Sequence, residues 1–254
     1  SPAIVDCTAN IKRSVKRISW GKYLNAGQVC IAPDYLLIQK IKEDEFVKLF
    51  EKSIINMYGE KPIESNDLGK IVNTKHFNRI TALIEDAISK GASLHVPGGV
   101  LELGEEKCKI SPCFLTNCST DMAIMKEEIF GPVLSIMTWT TKKEALSIIN
   151  KNPNPLALYI FSSKRKEIDF FVSKTKAGST GINEVIIQAA NPSLGFGGIG
   201  TSGIGRLNGK ESFDSFSNLR SFVASTKIPS ALPLTFPPFT KLSLDLSRFI
   251  SKWL

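Results

Sequence analysis

An α/β fold, a largely parallel sheet with crossover helices, is what this sequence predicts. Helical stripes and short apolar runs alternate from Ile11 to Asn183 at the spacing of strand–helix–strand units. With 254 residues, 43% hydrophobic and 22% charged, the chain is long enough to bury one large core or two small ones. The alternation stops near Ala189, so a differently built C-terminal segment is expected beyond it.

From Ile11 to Tyr23 apolar residues recur at three and four, with Val15, Ile18 and Trp20 or Tyr23 on one side, which predicts an amphipathic helix. Tyr35 to Gln39 reads as a short buried strand and Glu43 to Met57 as a second helix. His76 to Lys90 is a third, its stripe made by Phe77, Ile80, Leu83, Ile84 and Ala87 before Gly91 stops it. Strands follow at Cys113 to Thr116, Val133 to Trp139, Ala157 to Phe161 and Ser179 to Asn183. Helices are expected over Thr141 to Asn150 and Lys164 to Lys176. Residues 189 to 222 are rich in glycine and serine without a period. Residues 228 to 239, I-P-S-A-L-P-L-T-F-P-P-F, carry four prolines and must be extended, like an arm lying over a surface. In the last stretch Leu242, Leu246, Phe249, Ile250 and Trp253 recur at helical spacing among Lys241, Arg248 and Lys252. That segment is too short to span a bilayer. Packing on the protein or a dimer mate is its expected fate, with weak contact to an anionic membrane as the alternative.

Composition removes several function classes. Five cysteines are an odd number and too sparse for a secreted disulfide scaffold, so reduced thiols in a cytoplasmic setting are expected. Cys108, Cys113 and Cys118 lack the close pairs and the nearby histidine of zinc sites, so no metal is expected. The net charge of +8 is spread among acids, as in I-K-E-D-E-F-V-K, without the clustered basics and stacking aromatics of a nucleic-acid surface. No run approaches a membrane span, and S-P-A-I-V-D-C is no secretion signal. Asn117-Cys118-Ser119 is a chance glycosylation match in that compartment.

Gly198-x-Gly200-x-x-Gly203 matches the dinucleotide fingerprint letter for letter. The following I-G-R-L-N-G-K-E-S-F has no helical stripe, and no acid stands about twenty positions on, so a loop with close backbone approach is expected instead. His76 and His95 sit in no nucleophile–base signature, and a Cys–His hydrolase is the runner-up among chemistries. Cys30 lies in N-A-G-Q-V-C-I-A-P, residues 25 to 33. Most free cysteines are small buried hydrophobes, but Asn25, Gly27 and Gln28 predict a polar turn at a helix end, where a thiol and backbone N–H groups could face a cleft. An ordinary thiol is only a few per cent thiolate at neutral pH, so such a thiol needs an activating group.

These residues resemble the aldehyde dehydrogenase superfamily, within it the class 3 branch that takes fatty and aromatic aldehydes. N-A-G-Q-V-C-I-A-P is similar to its nucleophile motif and M-K-E-E-I-F-G-P-V, residues 125 to 133, to its cofactor-contacting motif. N-T-K-H-F-N-R-I, P-L-A-L-Y-I-F-S, L-G-F-G-G-I-G-T-S-G, G-K-E-S-F-D-S-F-S and F-P-P-F continue the likeness essentially end to end. The resemblance implies NAD or NADP as cofactor and Cys30 as the nucleophile, giving a thiohemiacetal and then a thioester that water hydrolyses to the carboxylate. It implies that Glu128 binds the nicotinamide ribose, Phe130 packs beside the nicotinamide ring, Asn25 supports the oxyanion turn and Phe196 lines the aldehyde tunnel.

The resemblance also implies that the general base, a glutamate in an E-L-G-G-K-type segment, directly precedes the Ser1-Pro2 with which this chain opens. The expectation is that this base, the oxyanion asparagine and a dinucleotide domain of roughly two hundred residues are absent. Residues 1–195 are then the catalytic domain, and 196–254 the Gly-rich loop, an oligomerisation strand and a Pro-rich arm that support a homodimer or heterodimer. Gln188, Gly195 and R-L-N-G-K (206–210) depart from the class 3 pattern and bear on substrate preference. Two readings follow: the catalytic half of an aldehyde dehydrogenase, inactive as the isolated chain, or a pseudoenzyme that serves as a dimerisation partner.

Overall fold

The structure, a computed structural model, describes residues 1–98, 101, 103–104, 108–224 and 236–252. Its first compact unit, Ser1–Ser217, is built on a seven-stranded sheet. The strands are β1 (Pro2–Val5), β2 (Tyr35–Gln39), β3 (Ser93–His95), β6 (Cys113–Thr116), β7 (Val133–Trp139), β8 (Ala157–Phe161) and β9 (Ser179–Ile182), in the order β3-β6-β7-β2-β1-β8-β9. Every neighbouring pair is parallel except β3–β6. A small antiparallel pair, β4 (Leu103–Gly104) with β5 (Lys109–Ile110), stands apart.

Parallel strands are covered on both faces, and side chains alternate between them. Ile4, Leu37 and Met137 point to one face, where α3 (Thr74–Ser89), α4 (Lys142–Lys151) and α5 (Arg165–Lys174) pack through Ile80, Ile84, Ala145, Ile149 and Phe171. Val5, Leu36 and Ile136 point to the other, against α1 (Ile11–Tyr23) and α2 (Glu43–Tyr58) through Val15, Ile18, Phe46, Phe50 and Ile54. Local chemistry starts these helices. Asn10 accepts from Arg13 N at 3.1 Å ahead of α1, Asn73 from His76 N at 2.9 Å ahead of α3, and Thr141 with Glu144 forms a capping box on α4.

The sequence reading missed β1. Its four residues, at the very start of the sequence, lie directly between β2 and β8, a place that only those partners reveal. Beyond β9 come the short α6 (Ile187–Ala190) and α7 (Gly209–Ser215), linked by the glycine-rich loop. That loop holds a 3-10 turn at Gly200–Ser202 that leads into no helix, and a Cβ on Gly198 would stand 2.1 Å from Ser202 O. Close backbone approach therefore explains its glycines.

The second unit, Asn218–Leu254, contains α8 (Lys241–Ile250), capped by Thr240. Among the described residues of this unit no strand is formed, and residues 218–224 are exposed and join no ladder. Residues 228–235 of the proline-rich stretch, and Trp253, lie outside the described residues. No helix among the described residues is long and apolar enough to cross a membrane.

Candidate functional site

A cleft of about 720 Å³ opens at the amino edge of the sheet, where loops enter the strands. Cys30, Asp34 and Tyr35 line it from the start of β2, Glu127 and Glu128 from the approach to β7, and Pro155 and Leu156 from the approach to β8. Thr201 and Ser202 of the glycine-rich loop complete the wall. Cys30 is exposed and free.

The loop that carries Cys30 is held from several sides. At the end of α1 the chain turns through Asn25 and Ala26, both left-handed (φ 51° and 54°), into Gly27 (φ 76°). A Cβ at Gly27 would stand 2.1 Å from Gly131 O, so glycine is required there twice over. Gln28 ties the loop to a neighbouring segment, donating to Lys70 O at 2.8 Å and accepting from Val72 N at 2.9 Å. Beyond the thiol, buried Tyr159 on β8 donates to Ile31 O at 2.5 Å, and its hydroxyl accepts from Ile186 N and Gln188 Nε2, each at 3.3 Å. Asp34 N donates to Ser1 O at 2.8 Å. Burial pushes the Tyr159 phenol up to about 12, so it remains a donor at neutral pH.

The opposite wall is fixed by Arg79 of α3. Its guanidinium donates to Glu128 O at 3.1 Å and Ile129 O at 2.5 Å, and pairs with Glu127 at 3.0 Å. Asp34 accepts from Ile129 N at 3.2 Å, joining the two walls. Beneath Asp34 lies Lys22, fully buried, with Nζ 3.8 Å from Asp34 Oδ1 and no hydrogen bond among the described residues. Burial lowers the Lys22 pKa, against the pull of Asp34 and Glu128. Glu128 is exposed to the cleft, yet the walls desolvate its carboxyl enough to raise its pKa, with Asp34 adding to the rise and Lys22 and Arg79 opposing it.

Of the residues singled out from sequence, the cleft brings together Cys30 and Glu128. Asn25 supports the turn, donating to Gln28 O at 3.2 Å. Phe130 (φ 49°) is exposed but does not line the cleft, and half-buried Phe196 bridges to Leu207 and packs on the face that holds α1 and α2. Neither histidine lines the cleft. His76 is exposed, and His95 is stacked on Phe114 between Glu51 at 3.2 Å and Thr116 at 2.9 Å. Cys113 is a core residue whose thiol burial pushes to about 12. Sequence reasoning missed Lys22, Asp34, Arg79 and Tyr159. Each looks like an ordinary member of its own segment, and its meaning lies in partners far along the chain.

Fold and cleft together define a class: an open, largely parallel α/β sheet with an exposed thiol and a carboxylate lining one cleft at its amino edge. Residues 1–222 match the aldehyde dehydrogenase family, and the chain belongs to it. It is 41% identical over 240 residues to the 4,4'-diaponeurosporen-aldehyde dehydrogenase of Staphylococcus aureus, covering 94% of this chain and 50% of that protein. Identity to the dimeric NADP-preferring aldehyde dehydrogenase of Mus musculus is 37% over 240 residues, covering 94% and 51%. To family 3 member A2 of Rattus norvegicus it is 38% over 250 residues, covering 98% and 50%. Among solved structures, substrate-bound Staphylococcus aureus AldH superposes with a TM-score of 0.85 at 38% identity, covering 98% of this chain and 53% of that one. The chain thus spans about half the length of the curated relatives it matches.

Proposed function

We propose that the chain is the catalytic half of a class 3-like, NAD(P)-dependent aldehyde dehydrogenase that oxidises aliphatic or aromatic aldehydes to carboxylates. The observation that carries this is the cleft itself, which sets the exposed Cys30 thiol and Glu128 on facing loops held by Tyr159, Asp34 and Arg79. As thiolate, Cys30 adds to the aldehyde carbon. A carbon–sulfur bond forms, the carbonyl π bond breaks, and the oxygen takes the charge, which the Cys30 backbone N–H stabilises. NAD or NADP, when bound, supplies the hydride acceptor that converts the thiohemiacetal to a thioester. Addition of water to that thioester breaks the carbon–sulfur bond, releasing the carboxylate and the Cys30 thiol.

The residues present fit one end of that cofactor. The Glu128 carboxylate makes no hydrogen bond among the described residues and suits a pair of ribose hydroxyls, while Phe130, exposed two residues on but outside the cleft lining, is the residue the family resemblance sets beside the nicotinamide. The turn at 200–202 has no helix behind it to receive a pyrophosphate, so the remainder of the cofactor calls for a second half. In this reading 1–195 is the nucleophile domain, and 196–254 carries the loop with Phe196, the oligomerisation strand and the arm. The strand forms when it pairs with a second subunit, and the protein works as a cytoplasmic dimer.

The test is an assay of the purified chain with hexanal or benzaldehyde and NAD or NADP, alone and with a separately expressed N-terminal half of a relative. The expected result is no steady cofactor reduction alone, activity on mixing, and its loss in Cys30→Ala. Binding of the added half without turnover would support a non-catalytic dimerisation partner instead. Turnover that survives Cys30→Ala would remove the nucleophile assignment.

A further inference from the structure

A second crevice, of about 350 Å³, lies at the opposite, carboxyl edge of the same sheet. It is lined by Asp6 to Thr8 beyond β1, Gln39 at the end of β2, Trp139 to Lys142 between β7 and α4, and Lys164 and Glu167 where α5 follows β8. These are four adjacent central strands. The helices after β1 and β2 pack on one face of the sheet and those after β7 and β8 on the other. The chain therefore divides at this edge, the topology at which open α/β sheets leave a ligand crevice.

Its walls carry unmet polar demand. Asp6 is 3% exposed. Its Oδ1 accepts from Thr8 N at 2.6 Å and Thr8 Oγ1 at 2.7 Å, while Oδ2 has no partner among the described residues. Trp139, also 3% exposed, holds an indole N–H with no partner among the described residues. Buried polar atoms are rarely left unpaired, and here the two have opposite senses, one acceptor and one donor. The charges sort the same way. Lys142 and Glu167 satisfy each other at 2.7 Å, with the Lys142 ammonium also 4.6 Å from the Phe170 ring centroid. That leaves the Asp6 carboxylate and the Lys164 ammonium, neither in an ion pair among the described residues.

We propose that this carboxyl-edge crevice binds a small zwitterion of the α-amino-acid class, its ammonium taken by Asp6 and its carboxylate by the Trp139 indole N–H and Lys164. One unpaired charge of each sign selects against a simple amine or a simple acid, each of which answers half of the site. A volume near the lower end of the usual ligand range of about 300–1,000 Å³ suits an amino acid better than a nucleotide. The inference does not depend on aldehyde chemistry, since Cys30 and Glu128 stand at the other edge.

The two exposed thiols make the test internally controlled, because Cys7 lines this crevice and Cys30 the other cleft. The full chain is treated briefly with limiting iodoacetamide and each cysteine is read by peptide mapping. L-serine or L-leucine, raised to about 20 mM to saturate a site of about millimolar affinity, is expected to slow Cys7 labelling about fivefold or more and leave Cys30 unchanged. Propylamine, propionate and glycerol are expected to do neither. Trp139→Phe, and Lys164→Met at an exposed position that folding does not need, each weaken the protection about tenfold. No protection by either amino acid, equal protection by glycerol or propionate, or protection unchanged in both variants would overturn the proposal. So would a soaked crystal showing a lone water at Asp6 and Trp139.

Discussion

Tyr159 shows how much one hydroxyl can hold. It donates to Ile31 O beside the thiol and accepts from Ile186 and Gln188, so Tyr159→Phe strands a buried carbonyl and frees two donors. The expected loss is about 1–3 kcal/mol of stability, read by urea unfolding, with Cys30 labelling altered in the same variant. The thiols divide by exposure. Under limiting iodoacetamide Cys30 is expected to react ahead of Cys113 and Cys118, whose burial pushes them to about 12 and about 11. Equal labelling of Cys30 and Cys113 in the folded chain would show that the loop is not ordered as described. Glu128 predicts a pH dependence. Its folded pKa is raised above 4.5, so the native state holds a proton that the unfolded chain gives up, and stability falls as pH rises from 4.5 through the raised value. Glu128→Gln removes that loss. Melts across a pH series are expected to coincide with the parent below 4.5 and to lie above it at neutral pH.

At the scale of elements, the catalytic loop and the approach to β7 meet at Gly27 and Gly131. Gly27→Ala needs both a left-handed alanine and a Cβ inside the van der Waals radius of a carbonyl. It is expected to cost upward of about 3 kcal/mol or to prevent folding, read by circular dichroism, whereas Gly69→Ala, where the backbone is not left-handed and a Cβ would meet nothing closer than 3.6 Å, should cost much less. The α4 capping box is an independent unit, and Thr141→Ala should cost about 1 kcal/mol without touching the cleft. Elements with a period were legible in the sequence: α1, α2, α3, β2 and β7 lie within a residue or two of where spacing placed them. β1 was not, since its place at the centre of the sheet follows only from its partners.

For the whole molecule, the apolar side chains late in the chain matter most. Ile204 is 99%, Phe216 86% and Val223 94% exposed, in a region where relatives that include a dimeric enzyme also match. Monomers rarely leave so many large apolar groups open to solvent. The chain is expected to self-associate with concentration in sedimentation velocity, and Phe216→Ser with Val223→Ser is expected to shift it toward monomer.

The motif around Cys30, the E-E-I-F-G-P segment and the alternation of helix and strand could be read from residues alone, because each is a local pattern with a local cause. They were enough for the fold class, the family and Cys30 as the candidate nucleophile. The buried Lys22 under Asp34, the Arg79 clamp, the Tyr159 anchor and the crevice between Asp6 and Trp139 could not be read that way. Each joins residues that sequence leaves a dozen or more positions apart, and their electrostatic and hydrogen-bonding consequences exist only once the strands are ordered side by side. Tertiary structure also separated the two edges of the sheet, placing Cys30 at one and Cys7 at the other, although the two thiols are joined by a single helix.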